Sequence, residues 1–404
     1  MFKSISRSVL ILSIVSLFTD ISTEMLYPII PLFLKSIGYG ALLIGLIEGV
    51  AEGIAGLSKA YFGELSDRKG ARLPFVKGGY WLSAAARPMM AIFTFPIWIA
   101  MSRSLDLLGK GIRTSARDAL LSDESKNSTK STVFGFHRMM DTLGAVIGPC
   151  LALVYLYFYP GSYRPIFLIA FIPAVAAGLI ILILKEKKRA ISKRKQKWTF
   201  FSSFNYIGRS SAEYKKLLIG LVVFTLFNSS NAFLILKVKE SGASDVVAIT
   251  LYVFYNFVYA AFSYPMGKLA DKFGNKIIFT LGLVIFSLVY LGMGLNSNII
   301  WFYVLFFFYG LYMASTEGVS RAWISNIASK EDTGSALGIH AALTSIMTLF
   351  ASVIAGFLWS NYSPQTTFYV TACTTTGVVF YLFVVFRIDL KKDHIHIVRN
   401  IKKN

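Results

Sequence analysis

Apolar stretches of roughly 20 residues, the length a helix needs to cross the hydrocarbon core of a bilayer, recur along almost the whole chain. They are expected near 8–34, 41–63, 74–94, 97–121, 131–158, 164–184, 214–237, 245–268, 275–295, 299–325, 333–359 and 365–386. Of the 404 residues 55% are hydrophobic and 15% charged, against roughly a quarter charged in a soluble domain. No single soluble core could absorb that apolar surplus, so the lipid is the solvent. The first run follows Lys3 and Arg7 as a signal peptide would, but it continues through Asp20 and Glu24 without a small-residue cleavage site. It is read as span 1 of an all-α membrane protein with twelve spans.

The formal charge of +20 could serve nucleic acid or membrane topology, and its placement favours the second. Basic residues concentrate in three places: at 185–216, after span 2 (Arg68, Lys69, Arg72, Lys77), and after span 12 (Arg387, Lys391, Lys392, Arg399, Lys402, Lys403). With twelve spans all three lie on one side, while the opposite loops near 94–97, 295–298 and 360–365 contain no Lys or Arg. The positive-inside rule then puts both termini and the central loop in the cytoplasm of a cell with the chain in its inner membrane. The expected layout is a six-helix bundle at 1–184, a basic linker at 185–213, a second six-helix bundle at 214–386 and a basic tail at 387–404. Lipid is the expected partner of the basic segments, and no nucleic-acid partner is expected. Cys150 and Cys373 fall inside apolar spans and read as packing residues.

The chain repeats itself. Gly63-Glu64-Leu65-Ser66-Asp67-Arg68-Lys69-Gly70-Ala71-Arg72 follows span 2, and Gly267-Lys268-Leu269-Ala270-Asp271-Lys272-Phe273-Gly274-Asn275-Lys276 follows span 8, 204 residues later. The same offset takes Arg117 to Arg321, and an offset of 203 takes Gly135-Phe136-His137 to Gly338-Ile339-His340. Each copy has an even number of spans, so the two insert in the same orientation about an axis along the membrane normal.

The Gly-x-Leu-x-Asp-Arg-x-Gly-x-Arg pattern and its weaker second copy resemble the signature loop of the major facilitator superfamily, and the resemblance covers essentially the whole chain. It implies two bundles that open alternately to either side. It also implies a conformational latch, here Gly63, Asp67, Arg68, Gly70, Arg72 and Asp271, with Arg117 and Arg321 as the repeated arginines. The alternative is an ordinary turn whose arginines obey the positive-inside rule. Lys272 and Lys276 stand where the first copy has arginines. Thr19-Asp20-Ile21-Ser22-Thr23-Glu24-Met25 and Gly109-Lys110-Gly111-Ile112-Arg113-Thr114 are similar to a prokaryotic subgroup of that superfamily.

Ionisable groups inside a span are costly, so they pair, face a bundle interior or line a path for ions and substrate. Asp20 and Glu24 in span 1, Glu48 and Glu52 in span 2 and Asp141 in span 5 are the candidates to carry a coupling proton. Asp20 lies about 18 Å and Asp141 about 15 Å into its span at the helical rise. Structural pairing competes with that role, because Lys59, Arg87, Arg103, Lys110, Arg113, Arg117 and Arg138 share these spans. Arg103, Asp106, Lys110, Arg113 and Arg117 recur every three or four residues as a charged stripe on span 4.

In span 5, Gly144-Ala145-Val146-Ile147-Gly148-Pro149 resembles the core of a motif found in the superfamily's exporters, without its trailing glycine pair, and plain helix packing is the alternative. Candidates to line a substrate cavity are Arg103, Asp106 and Lys110, with Asn228, Asn231, Tyr255 and Asn256 from the second half. His137 and His340 read as structural, and His394-x-His396 is too short a signal for a metal site.

The chain offers no phosphate-binding loop, metal-ligand cluster or nucleophile with a base. No enzyme, cofactor, metal site or ATP-driven pump is expected. The reading is a monomeric secondary transporter that moves a small organic molecule by proton-coupled efflux. A proton-coupled importer of a metabolite or metal chelate, and a transport-inactive sensor or scaffold, are the alternatives.

Overall fold

A computed structural model describes residues 5–39, 41–186, 204–228, 231–243 and 245–386. Every regular element among them is a helix. The basic residues 187–203 and 387–404, which include His394 and His396, lie outside the described residues.

The first half comprises α1 (Arg7–Leu26), α2 (Ile29–Ser36), α3 (Ala41–Lys69), α4 (Leu73–Ile92), α5 (Pro96–Asp123), α6 (Lys130–Phe158) and α7 (Arg164–Leu182). The short α8 (Asn205–Arg209) precedes the second half. That half comprises α9 (Ala212–Phe227), α10 (Asn231–Glu240), α11 (Asp245–Phe273), α12 (Asn275–Leu295), α13 (Ile299–Ile327), α14 (Thr333–Asn361) and α15 (Pro364–Phe386). Seven of the described spans, those of α1, α6, α7 and α12 to α15, are long and apolar enough to cross a bilayer. The other five complete the twelve: α3, α4, α5 and α11 are long but more polar, and span 7 is divided between α9 and α10.

Local chemistry sets the ends. Ser6 caps α1 by accepting the Val9 N–H at 3.2 Å, and Ser211 caps α9 by accepting that of Tyr214 at 3.1 Å. Proline stands in the first turn of α4, α5 and α7, where its missing N–H costs nothing. Gly70 and Gly274 close the two signature turns with φ of +61° and +100°, a region that glycine enters without strain. The first helix of each half ends before its span is complete, α1 at Tyr27-Pro28 and α9 at Asn228. Pro28 explains the first break, since it supplies no N–H to continue the helix.

The repeat extends to the packing. Within the first half α3 packs on α5, α4 on α5 and α7, and α1 on α7. In the second half α11 packs on α13, α12 on α13 and α15, and α9 on α15. The compact units nevertheless differ from the sequence halves. One unit gathers residues 1–125, 140–210 and 328–345; the other gathers 126–139, 211–327 and 346–404. Each unit therefore takes the start of one long helix, α14 or α6, from the opposite half. Cys150 and Cys373 are both exposed rather than packed inside.

The exchanged helix starts are seated by glycine. A Cβ on Gly63 would collide with the Gly334 carbonyl oxygen, and one on Gly267 with that of Ser131. Gly63→Val and Gly267→Val should each lower the melting temperature of the purified protein, in line with an overpacking cost of about 1–3 kcal/mol. Gly78→Val, whose Cβ would meet nothing within 4 Å, should leave it unchanged. Equal melting of all three would show that backbone contact at these glycines does not matter.

Candidate functional site

Two constellations stand out, one at the signature turns and one inside the first unit. At the first turn Asp67 sits at the start of α14. Its Oδ1 accepts the Gly334 N–H at 3.1 Å, and its Oδ2 accepts the Ser335 N–H at 2.6 Å and the Ser335 hydroxyl at 2.9 Å. These are N–H groups that a helix leaves without internal partners, and the positive end of its dipole favours a carboxylate there. Arg72 completes the contact, with Nη2 donating to Asp67 Oδ1 at 3.1 Å. Burial pushes the Asp67 carboxyl up to about 6, opposed by Arg72 and by the Ser335 and Gly334 donors.

The second turn repeats this arrangement in the other unit. Asp271 accepts the N–H groups of Ser131 at 2.9 Å and Thr132 at 2.7 Å, at the start of α6. Burial likewise raises its carboxyl above the usual range. The weaker sequence copy thus makes the same pair of backbone contacts as the stronger one.

Not every residue of the signature joins in. Arg68 turns back to Glu64 on its own helix at 2.7 Å. Gly70 serves the turn through its positive φ. Arg117 lies away from Asp67 and binds Asp118 through Nε and Nη2, both at 3.1 Å. Arg321 pairs with Glu317 at 3.7 Å, one turn away on α13.

Inside the first unit the charges of α1, α3, α4, α5 and α6 form two sets. In one, Arg103 grips Glu48 with Nε and Nη2 at 2.8 and 2.9 Å and reaches Asp106 Oδ2 at 3.2 Å. Arg87 approaches Asp106 Oδ1 at 3.6 Å and donates to the Thr23 hydroxyl at 2.7 Å. Arg113 donates to Ser83 Oγ at 2.6 Å and lies over the Tyr80 ring at 4.8 Å. Glu48, Arg103 and Asp106 are thereby committed to one another.

The second set is less tightly paired. Asp20 of α1 lies beside Asp141 of α6, with Glu24 and Lys110 as its nearby charges. The Ser16 hydroxyl donates to Asp141 Oδ1 and accepts from Arg117 Nη1 at 3.0 Å. What brings the two carboxyls together is the span 5 motif. A Cβ on Gly144 would lie 2.9 Å from Asp20 Cβ and 2.7 Å from the Leu17 carbonyl oxygen, and one on Gly148 2.5 Å from that of Ile21. Pro149 lies inside α6 directly after them. The same device acts in Gly109-Lys110-Gly111: Gly109 meets α4 at Gly79 and Ser83, Gly111 meets α3 at Ala55 and Ser58, and Lys110 falls between.

Glu52 differs from all of these. It is exposed on α3 and has neither hydrogen bond nor ion pair among the described residues. Gly49 and Gly53 beside it border open space, where a Cβ would meet nothing within 4 Å.

In the second unit the candidates are apolar in character. Tyr255 is buried in an aromatic cluster, 5.2 Å from both Tyr252 and Tyr309 and 6.0 Å from Phe306 between ring centroids. Asn256 donates to the Tyr252 carbonyl of its own helix at 3.0 Å. Asn228 ends α9 and approaches the Tyr312 hydroxyl at 3.5 Å. Asn231 begins α10, and its side chain lies outside the described residues. Sequence periodicity alone could not separate a tyrosine face that packs from one that lines a path. Ser16, which joins Arg117 to Asp141, went unread because a serine in a span carries no signal of its own.

Comparison with known proteins bears on the whole chain. Residues 12–239 and 217–399 match the family model of the Major Facilitator Superfamily. An uncharacterised MFS-type transporter of Methanocaldococcus jannaschii is 34% identical over 372 residues, covering 91% of this chain and 92% of the relative. The multidrug resistance protein MdtG of Proteus mirabilis is 25% identical over 392 residues, covering 93% and 94%. The fold is similar to that of the human organic anion transporter MFSD10, with a TM-score of 0.78 at 16% identity over 93% of this chain and 99% of that one.

The turn geometry separates the two arginines of the signature. Arg72→Gln and Asp67→Asn should increase maleimide labelling of a cysteine placed at the fully buried Ala336 of α14, because both weaken the seating of that helix. Arg68→Gln should leave labelling at its original rate. Equal labelling in all three would mean that Asp67 is only a turn residue.

Proposed function

Because the chain belongs to the major facilitator superfamily, we propose that this integral membrane transporter is a proton-coupled exporter of a small organic molecule, working as a monomer by alternating access. The observation that carries the coupling is the approach of Asp20 to Asp141 across the glycine contact of α1 with α6. Two carboxyl groups so placed repel each other when both are ionised, so a proton on one of them relieves the pair. At mid-membrane, ionising both is costly unless cations or water compensate. This pair is the proton carrier. Ser16 and Arg117 steady Asp141, and Lys110 stands by to compensate the charge when the proton leaves.

The other acids have different parts. Glu48 is held by Arg103 and serves structure. Glu52, exposed and without an ion-pair partner among the described residues, is the carboxylate that meets a substrate, in the space left by Gly49 and Gly53. Glu24, which shares Lys110 with Asp20, links the two. The turns at Asp67 and Asp271 latch the helix starts that each unit borrows from the other half, and releasing them is part of the transport cycle.

Export is supported by the exporter-like glycines of α6 and by the likeness to a relative named for multidrug resistance. The asymmetry of basic residues supports cytoplasmic termini in the inner membrane. A reporter fused at Lys193 should register cytoplasmic and one near Ser162 external; the reverse pattern would overturn this orientation.

Coupling is tested in proteoliposomes with an imposed pH gradient and a panel of candidate substrates. Asp20→Asn and Asp141→Asn should abolish gradient-driven accumulation and spare substrate exchange without a gradient, since exchange needs only binding and conformational cycling. Glu52→Gln should instead weaken substrate binding and slow both. Full gradient-driven transport by Asp20→Asn and Asp141→Asn would move the coupling elsewhere.

A further inference from the structure

The two signature turns fold alike and are filled differently. In the first, the Arg72 guanidinium occupies the space beside Asp67. Its Nη2 donates to Asp67 Oδ1 at 3.1 Å and to the Lys330 carbonyl at 3.3 Å, and its Nη1 lies 3.0 Å from Asp123 Oδ2. The whole residue is 1% exposed.

The repeat carries Arg72 onto Lys276, and Lys276 does not take that place. Its ammonium lies 3.6 Å from Glu213 Oε1 and 5.2 Å from the centroid of the Phe386 ring. Beside Asp271 the second unit instead has a cavity of about 520 Å³, bordered among others by Asn127, Asn326 and Ile327. The repeat offsets identify this lining. Asp271 answers to Asp67, Ile327 to Asp123, and Asn127 to Lys330, whose carbonyl holds Arg72.

We propose that this cavity is a binding site for a guanidinium-bearing solute, seated against Asp271 as Arg72 is seated against Asp67. Each oxygen of Asp271 accepts one backbone N–H from the start of α6, and a carboxylate oxygen can accept further bonds. Asp67 demonstrates that both kinds of contact fit at once, because it holds the helix N–H groups and the arginine together. A planar guanidinium offers paired donors that match a carboxylate, whereas an ammonium offers a single compact charge.

The remaining lining suits one added cation. Lys276 and Glu213 balance each other's charge, which leaves Asp271 as the net charge of the site. The amides of Asn127 and Asn326 can accept the outward N–H groups. Ile327 stands where the first turn has Asp123, so the occupant is held by one carboxylate fewer than Arg72 and can exchange with solution. When bound, it completes the second turn and strengthens the hold of α11 on the start of α6. The binding claim is independent of proton coupling and of the direction of transport.

The test titrates ethylguanidinium into the full-length protein by calorimetry, in nanodiscs of phosphatidylglycerol and phosphatidylcholine, with ethylammonium in parallel. Saturable binding of ethylguanidinium is expected, with ethylammonium weaker by about tenfold, the ratio set by one charge-assisted hydrogen bond. Asp271→Asn should weaken ethylguanidinium by a similar factor by removing the charge. Lys276→Arg should do so by filling the cavity from within, and should melt higher than the parent with no further rise on adding ethylguanidinium. No saturable binding to the parent protein, or undiminished binding to Lys276→Arg, overturns the proposal. Lys276→Arg restores the residue of the first copy, so the conclusion does not depend on whether Asp271→Asn folds.

Discussion

A charge in hydrocarbon must find a partner, a helix end or water, and the architecture of the first half follows from that requirement. Arg87, Arg103 and Arg113 are met by Asp106, Glu48, Thr23, Ser83 and the face of Tyr80, all drawn from α1, α3, α4 and α5. Such a network fixes the helices against one another because breaking any one pair strands a charge. Buried pairs of this sort do little for net stability, but removing one partner is costly. They specify an arrangement rather than strengthen it. Against that rigid background the Asp20 and Asp141 pair is distinguished by being acid on acid, a combination that structure alone does not favour.

Backbone contact is the second constraint. Opposed helices normally stand 8–10 Å apart, the distance that their side chains require. Where glycine removes the Cβ, a carbonyl of the neighbouring helix moves into the vacated space, as at Gly63, Gly267 and Gly144. The side chains flanking such a contact are brought closer than they could otherwise come. Asp67 reaches the N–H groups of α14 because Gly63, one turn before it, lets that helix in, and Asp20 reaches Asp141 because Gly144 does the same for α6. The same residue type thus builds a helix cap in one place and a close approach of two carboxyl groups in the other.

Much of this was legible in the sequence. Twelve spans followed from apolar length, and the pairing of the halves from the 204-residue repeat, which the principal helix packings follow. Asp67 and Asp271 stood out through the repeated signature loop, and Asp20 and Asp141 because carboxylates are costly inside a span. What could not be read was the choice of partner. Arg68 and Arg72 look equivalent in the signature, yet one folds back on Glu64 and the other reaches Asp67, a difference set by the turn at Gly70. Tyr255 and Asn256 share a polar helical face, but whether such a face meets solvent or a packed aromatic cluster depends on α13, which lies far along the chain.

The borrowed helix starts explain why the repeat is closest at the two turns and looser elsewhere. Each carboxylate must meet the N–H groups of a helix from the opposite half, so the geometry around Asp67 and Asp271 is fixed by backbone, which does not vary with sequence. Arginine 72 and lysine 276 lie outside that backbone contact and are free to differ. In the first turn the guanidinium joins Asp67, Asp123 and the end of α5 into one unit, whereas in the second the lysine is drawn off to Glu213. The first turn is therefore held by Arg72 ion pairs to Asp67 and Asp123 that have no counterpart at Asp271 among the described residues. If the latches release in sequence, the second should yield first, because no such pair adds to its contacts with the start of α6.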